Sequence, residues 1–400
     1  MNNGIHFLKR GECPDGSAKT GVSLHCHTLY SKELLDFVPY YAERIPVISH
    51  FWRRAQHRRS EQNIPLPDFK KGYWTPPLDA RDVYDSEQAS MAKLGLDAIV
   101  SITDHDSINA GLELRNSVGS EKAPISLEWT VPFENAFFHV GVHNLPADRA
   151  EAISSALLAY SFAKGEPDKS RLRELLALLN ELPDALVVLN HPIWDIEMIG
   201  QQNHERALSR FLAEFAGSFH ALEINGFRSW AENQMVIDLS ETIGLPLISG
   251  GDRHCCQANT MINVTDAASF AEFVSEIRQD KFSRIAITQE YSVPLPSRQL
   301  RSIAQILGTY NHFPEGRRQW TDRVFLDYGD GDGLRTLTEL WGGRPPAWTH
   351  FTFLAMSAFA HPFLEPLIAL TVGDNDIGRN DQITDGGTFG VGGTPVIAGQ

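Results

Sequence analysis

The 400-residue chain holds only 4 cysteines, Cys13, Cys26, Cys255 and Cys256, and none is spaced as CxxC or as a zinc finger. So few thiols in so long a chain make no disulfide framework, and a reducing, cytoplasmic setting is expected. Positive charge is also scarce: 35 Lys and Arg stand against 50 Asp and Glu, a formal net charge of -15. That balance argues against a general nucleic-acid coat, whose field is basic, while leaving room for a locally basic site. The opening stretch MNNGIHFLKRGECPDGSAKT has none of the long apolar core a secretion signal needs. The most apolar late run, FTFLAMSAFAHPFLEPLIALTV at 351–372, is broken by His361, Pro362, Glu365 and Pro366. Those residues are costly near a bilayer centre, so the run is expected to form a buried or interface helix pair without membrane contact.

What is present is an ordinary globular balance, 42% hydrophobic and 21% charged. Seven short apolar segments read as strands: VSLHCHT, DAIVSITDHD, PISLEWTV, FFHVGVH, ALVVLNHP, FHALEINGF and LPLISGGDRH. Stretches of helical period, such as SRLRELLALLNEL and ERALSRFLAEFAG, separate most of them. Alternating strands and helices predict an α/β fold with a largely parallel sheet. Polar side chains gathered at the strand ends favour a closed (β/α) barrel over an open doubly wound sheet. No Gly-rich loop follows the first strand, so dinucleotide binding lacks its usual sign. The expected divisions are an N-terminal segment at 1–20, a metal-binding barrel at 21–290 and a C-terminal extension at 291–400 whose role the sequence does not give. The tail at 373–400, rich in Gly and Asp, is expected to be loose. Residues 34–80 form an insertion carrying Arg53, Arg54, Arg58, Arg59, Lys70 and Lys71, expected to lie near the barrel mouth, where its arginines either attract a polyanion or form a solvated helical face that does little.

The strand ends supply His25 and His27, Asp104 and His105, Glu128, His139, His191, Glu223, and Asp252 with His254. In an extended strand His25 and His27 face one way and Cys26 the other, and Asp252 and His254 share a side likewise. A single histidine at a strand end is usually structural. Six of them with several carboxylates at one end would cost several kcal/mol in desolvation and like-charge repulsion without a cation. Mixed imidazole and carboxylate ligands suit Zn, Mn or Fe better than Ca or Mg. Asp104 is expected to orient an imidazole, with Glu223 and Asn225 in similar supporting roles. Cys255 and Cys256 read as buried thiols.

LHCHT, ITDHDS, the glutamate of SLEWTV, FHVGVH, NHP and GGDRH occur in the order typical of the PHP (polymerase and histidinol phosphatase) family, and residues 21–290 resemble it. The resemblance implies a distorted (β/α)7 barrel that holds two or three divalent metals and cleaves phosphoesters. It implies a first metal on His25, His27, Glu128 and Asp252, and a second on Glu128, His139 and His191. A third would take His105, His254 and a ligand a few residues after His27, where the family often shows Ser-Asp and this chain has Ser31-Lys32. A protonated lysine cannot bind a metal. Either Glu33 replaces the ligand, or the third metal is absent, or the Lys32 ammonium itself holds a phosphate oxygen; the last two are the favoured pair, beside the plainer reading that Lys32 points to solvent. Arg253 reads either as a bidentate phosphate clamp or as a salt bridge to the outer layer.

The function expected is hydrolysis of a phosphoester in a small phosphorylated molecule or nucleotide. His25, His27, Glu128 and Asp252 would act through a metal-bridging hydroxide, with Lys32 and Arg253 at the substrate. A 3'-5' exonuclease, which would take nucleic acid as partner, a non-catalytic metal-binding module and a hydrolase of C–N bonds are the competing readings.

Overall fold

The computed structural model describes residues 2–14, 18–35, 37–44, 46–61, 67–117, 119–120, 122–343 and 346–364. All seven expected segments contain strands: Thr20–Leu24, Asp97–Ser101, Leu127–Phe133, Ala136–His143, Leu186–Leu189, Ala221–Asn225 and Leu247–Gly250. Thr20–Leu24, Leu186–Leu189, Ala221–Asn225 and Leu247–Gly250 are buried at every residue, as strands covered on both faces must be. Two of the helices between them start on side-chain caps, Asp168 before Lys169–Asn180 and a Ser229–Glu232 capping box before Trp230–Ile243.

The strands do not close into a (β/α)7 barrel. They form two five-stranded sheets. One runs Asn2–Phe7, Phe282–Ile287, Met261–Thr265, Thr20–Leu24, Asp97–Ser101. The other runs Leu247–Gly250, Ala221–Asn225, Leu186–Leu189, Ala136–His143, Leu127–Phe133. Among the described residues, isolated bridges, Cys26 to Arg253 and His105 to Glu128, join the sheets at their edges. Nor is the pairing largely parallel. Leu127–Phe133 and Ala136–His143 form an antiparallel hairpin, and Ala136–His143 is antiparallel to Leu186–Leu189 as well. The physical reason lies in the connection: Glu134 and Asn135 are two residues, and a parallel crossover needs about a dozen or more.

A third sheet of four short strands draws on distant parts of the chain. Glu33–Leu34 pairs with Asp68–Trp74 from the basic insertion, which pairs with Val324–Asp327 from the C-terminal extension, followed by Leu334–Thr336. Its small core is Leu35, Leu326 and Leu337. Beside it, the helix Pro46–Glu61 leaves Arg53, Arg54 and Arg58 exposed, while Arg59 stacks 4.5 Å from the Tyr328 ring centroid. The late apolar run is not buried in the described residues. Its described part lies in the helix Ala347–Phe359 and the turn after it, and Phe351, Leu354, Phe359 and Phe363 are exposed, not buried. Residues 365–372 and the tail at 373–400 lie outside the described residues. Among the described residues no helix is long and apolar enough to cross a membrane.

Ending the chain at residue 290 removes two of the four strands of the third sheet and the buried Tyr291. Such a chain is expected to be poorly soluble or to melt without a single cooperative transition. A soluble product melting like the full chain would show that the extension is an appendage.

Candidate metal centre

The strands deliver the site residues and then bend sharply. Thr20–Leu24 ends one residue before His25, whose backbone is left-handed at φ 65, and Leu247–Gly250 ends before Asp252 at φ 49. His191 is also left-handed, at φ 26. Non-glycine residues in this region cost of order 1–3 kcal/mol each, and persist where the surroundings over-determine them. His25 and His27 therefore meet not through strand alternation but through a bend that leaves their ring centroids 5.1 Å apart.

All eight residues of the expected ligand set come together. Glu128, with no exposed surface, is the hub. Its Oε2 lies 3.1 Å from His25 Nε2, 3.5 Å from His27 Nε2 and 3.1 Å from His105 Nδ1. Its Oε1 lies 3.2 Å from both His139 Nδ1 and His191 Nε2. Asp252 Oδ1 is 3.7 Å from His25 Nε2 and 3.6 Å from His27 Nε2. Four overlapping groups have ligand atoms within 4.8 Å of one another: His25, His27 and Glu128; His25, His191 and Asp252; His105, Glu128 and His139; and His27, Glu33, His105 and His254.

The far nitrogens of several rings are pinned, which fixes what the near ones present. His25 Nδ1 donates to Glu223 Oε2 at 2.7 Å, and Asn225 donates to the other oxygen of that carboxylate at 2.6 Å. Both supporting roles read from the sequence are thus seen as contacts. A Cβ at Gly250 would strike the Glu223 carboxylate, so only glycine fits there. His27 Nδ1 sits 3.1 Å from Ser31 Oγ, and His254 Nδ1 donates to the Asp252 carbonyl at 3.0 Å. With a proton on Nδ1, each Nε2 is left facing inward. His25 Nε2, His27 Nε2, Glu128 Oε2 and His139 Nδ1 are buried without a hydrogen-bond partner. Native structures keep few such atoms, because each costs about 1–3 kcal/mol. Here they converge on shared points between imidazole and carboxylate, the donor chemistry that zinc, manganese and iron favour.

The electrostatics are in conflict within one small volume. Burial works against a charged His25, yet Glu128, Glu223 and Asp252 hold its pKa well above the ordinary value. Burial, aided by His254, pushes His27 down to about 3, and burial takes His139 down to about 4. Burial opposes ionised Glu128 and Asp252 as well, but the neighbouring imidazoles keep both well below the usual carboxylate range. Arg228 brings a guanidinium to 3.2 Å from Asp252 Oδ2 among these crowded anionic oxygens.

Position bears on three sequence readings. Lys32 is exposed, its ammonium 5.3 Å from the Tyr73 ring centroid, while Glu33 turns inward in its place. Glu33 Oε2 lies 3.3 Å from both His105 Nε2 and His254 Nε2, and its Oε1 accepts from Ser31 Oγ at 2.7 Å. Arg253 is no phosphate clamp: it is buried in an ion pair with Glu87 and also donates to Ser86 Oγ and the Cys255 carbonyl. Asp104 orients no imidazole; it accepts from the backbone N–H and the hydroxyl of Thr28, fixing the turn after His27.

Sequence reasoning missed Arg228 and Asn190. Asn190 donates to Glu128 Oε1 at 2.9 Å. Arg228 Nη2 lies 3.2 Å from Asp252 Oδ2, and its guanidinium is 3.4 Å from the Trp194 ring centroid, with a buried Nε that has no partner. Its loop is held from the extension: Tyr291 donates its hydroxyl to the Arg228 carbonyl at 2.9 Å, and Arg298 donates to the Gly226 carbonyl. The only signal in the sequence was its place just after EINGF.

No family model matches the chain, and no curated protein matches it. Solved structures do share features with it. PsfC from Pseudomonas syringae is 16% identical, covering 68% of this chain and 93% of its own, with a TM-score of 0.38. A candidate metal-dependent phosphoesterase from Bifidobacterium adolescentis is 13% identical over 61% and 89%, with a TM-score of 0.33. An amidohydrolase from Chromobacterium violaceum is 16% identical over 45% and 84%, with a TM-score of 0.29. All three scores lie below 0.5, so the functional reading rests on the site itself.

The Arg253–Glu87 pair gives a direct check on the corrected role of Arg253. Glu87→Ala is expected to lower the unfolding free energy by about 3–5 kcal/mol, as removal of one partner of a buried ion pair does, measured by urea denaturation. A loss below about 1 kcal/mol, the range of an exposed pair, would contradict a structural role.

Proposed function

We propose that this protein is a metal-dependent phosphoesterase of the polymerase and histidinol phosphatase type, acting on a small phosphorylated molecule. The observation that carries the reading is the set of buried, unpartnered atoms of His25, His27, Glu128 and His139 facing one another. Divalent cations bound there would supply Lewis acidity toward phosphoryl oxygens and lower the pKa of water. His25, His27, Glu128 and Asp252 would hold one, and Glu128, His139 and His191 a second. A third position is made by Glu33, His105 and His254, with His27 at its edge. Glu33 supports three positions where the sequence favoured two.

The chain's own residues then divide the remaining work. Glu223 and the Asp252 carbonyl keep the His25 and His254 rings in the tautomer that exposes Nε2. Arg228, stacked on Trp194 with an unpartnered Nε, is the side chain placed to take a phosphate oxygen, and a guanidinium does so in a fixed fork geometry. The exposed Arg53, Arg54 and Arg58 favour, as a second reading, the end of a short single strand as substrate.

Asp252→Asn and His27→Ala are expected to abolish turnover of an aryl phosphate and reduce bound metal while the protein still melts cooperatively; full activity in either variant would refute the assignment. Glu33→Gln is expected to lose one metal equivalent by elemental analysis, and unchanged metal content would return the third position to doubt. Arg228→Ala is expected to raise KM by about 10–100-fold, the worth of one charge-assisted hydrogen bond, with a smaller change in kcat. An unchanged KM for mononucleotides, aryl phosphates and short single strands alike would remove Arg228 from the substrate site.

A further inference from the structure

Two thiols follow His254 directly, and the proposed reaction uses neither. Consecutive side chains in extended backbone point to opposite faces, yet the Sγ atoms of Cys255 and Cys256 lie 3.8 Å apart. Both also face the Tyr310 hydroxyl, at 3.1 Å and 3.5 Å. Cys255 is buried, but Cys256 is exposed, against the expectation that both are buried thiols. The pair is therefore reached from solvent through one sulfur, with its partner waiting behind it. The peptide between them is held as well, because the Cys255 carbonyl accepts from Arg253 Nε at 3.0 Å.

We propose that Cys255 and Cys256 form a dithiol modification site that a hydroperoxide closes reversibly into a vicinal disulfide, displacing His254 from Glu33. The chemistry balances in two steps. The Cys256 sulfur attacks the peroxide O–O bond, giving a sulfenic acid and releasing one water when the peroxide is hydrogen peroxide. The Cys255 sulfur then displaces the sulfenic oxygen, which takes the remaining thiol proton and leaves as a second water. Two thiols are oxidised by two electrons, and the peroxide is reduced by two.

Geometry makes the product a switch and not a staple. Consecutive Cα atoms are about 3.8 Å apart across a trans peptide, shorter than the roughly 4.4–6.8 Å that disulfides span. The ring is strained, and strained disulfides are the readily reduced ones. Closure must bring the sulfurs from 3.8 Å to about 2.05 Å, twisting the peptide that Arg253 holds. His254 is the next residue back, tied to Asp252 through Nδ1 and facing Glu33 at 3.3 Å through Nε2. A displacement of the turn opens that distance first.

The loss of metal rests on the phosphoesterase reading; the disulfide does not. The test uses the full chain with Cys13→Ser, which removes the other exposed thiol, before and after hydrogen peroxide, with intact mass, peptide mapping and elemental analysis. The expected result is the loss of two hydrogens, mapped to the peptide containing 255 and 256, together with loss of one metal equivalent. Dithiothreitol reverses both, and Cys256→Ser shows neither. A stable oxygen adduct on Cys256 without a cross-link would overturn the proposal, as would a cross-link that leaves the metal content unchanged. A reduced protein that binds no metal would defeat the phosphoesterase reading instead, and the mass shift alone would then decide the thiol chemistry.

Discussion

The structure is organised around one buried carboxylate. Glu128 has no contact with water and faces His25, His27, His105, His139 and His191 within 3.5 Å. Placing an anion there costs several kcal/mol unless positive charge accompanies it. Asp252, Glu33 and Glu223 add to the demand, and among the described residues Arg228 answers it with a guanidinium 3.2 Å from Asp252. Much of the local construction reads as a means of holding this arrangement still. Left-handed bends at His25, His191 and Asp252 turn the strand ends inward. Ser31 joins three residues of the cluster at once, contacting His27, donating to Glu33 and accepting from the His105 backbone. The aromatic and aliphatic core beneath, with Trp129, Phe133, Phe211 and Phe215 fully buried, supplies the stability that such strain draws on.

The C-terminal extension belongs to this construction. Tyr291 and Arg298 hold the carbonyls of Arg228 and Gly226, and Asn233 ties the Tyr291 hydroxyl back to the Asn225 backbone. Arg228 is thus oriented by residues more than sixty positions further on. Tyr310, from the same extension, lies under the two thiols. A part of the chain with no chemical motif of its own fixes the edges of the site on two sides.

How much of this the sequence carried depends on the range of the interaction. Segment identities and ligand types are local properties, written in LHCHT, SLEWTV and GGDRH, and the seven strands and eight converging side chains follow from them. Closure of the sheet is not local. The two-residue turn at Glu134 and Asn135 forces an antiparallel hairpin, and that sign is local to the sequence. Arg253 was undecidable without its partner, since Glu87 is 166 positions away in sequence. The choice between Lys32 and Glu33 turned on one residue of register. The short strand Glu33–Leu34 pairs with Trp74 and Tyr73, and that pairing turns Glu33 inward and leaves Lys32 outside.

That same pairing divides the cluster mechanically. His25, Glu128, His139, His191 and Asp252 stand in or just beyond strands of the two large sheets, whose core extends through more than thirty buried residues. Glu33 alone stands on the third sheet, whose buried apolar core is Leu35, Leu326 and Leu337. A small core gives little cooperative stability, and local opening is drawn from such regions first. Any ion held by Glu33 therefore depends on the insertion and the extension remaining paired, while the Glu128 centre does not. The Glu33 side of the cluster is consequently the part most open to local rearrangement, and the thiols follow His254, which faces Glu33 at 3.3 Å.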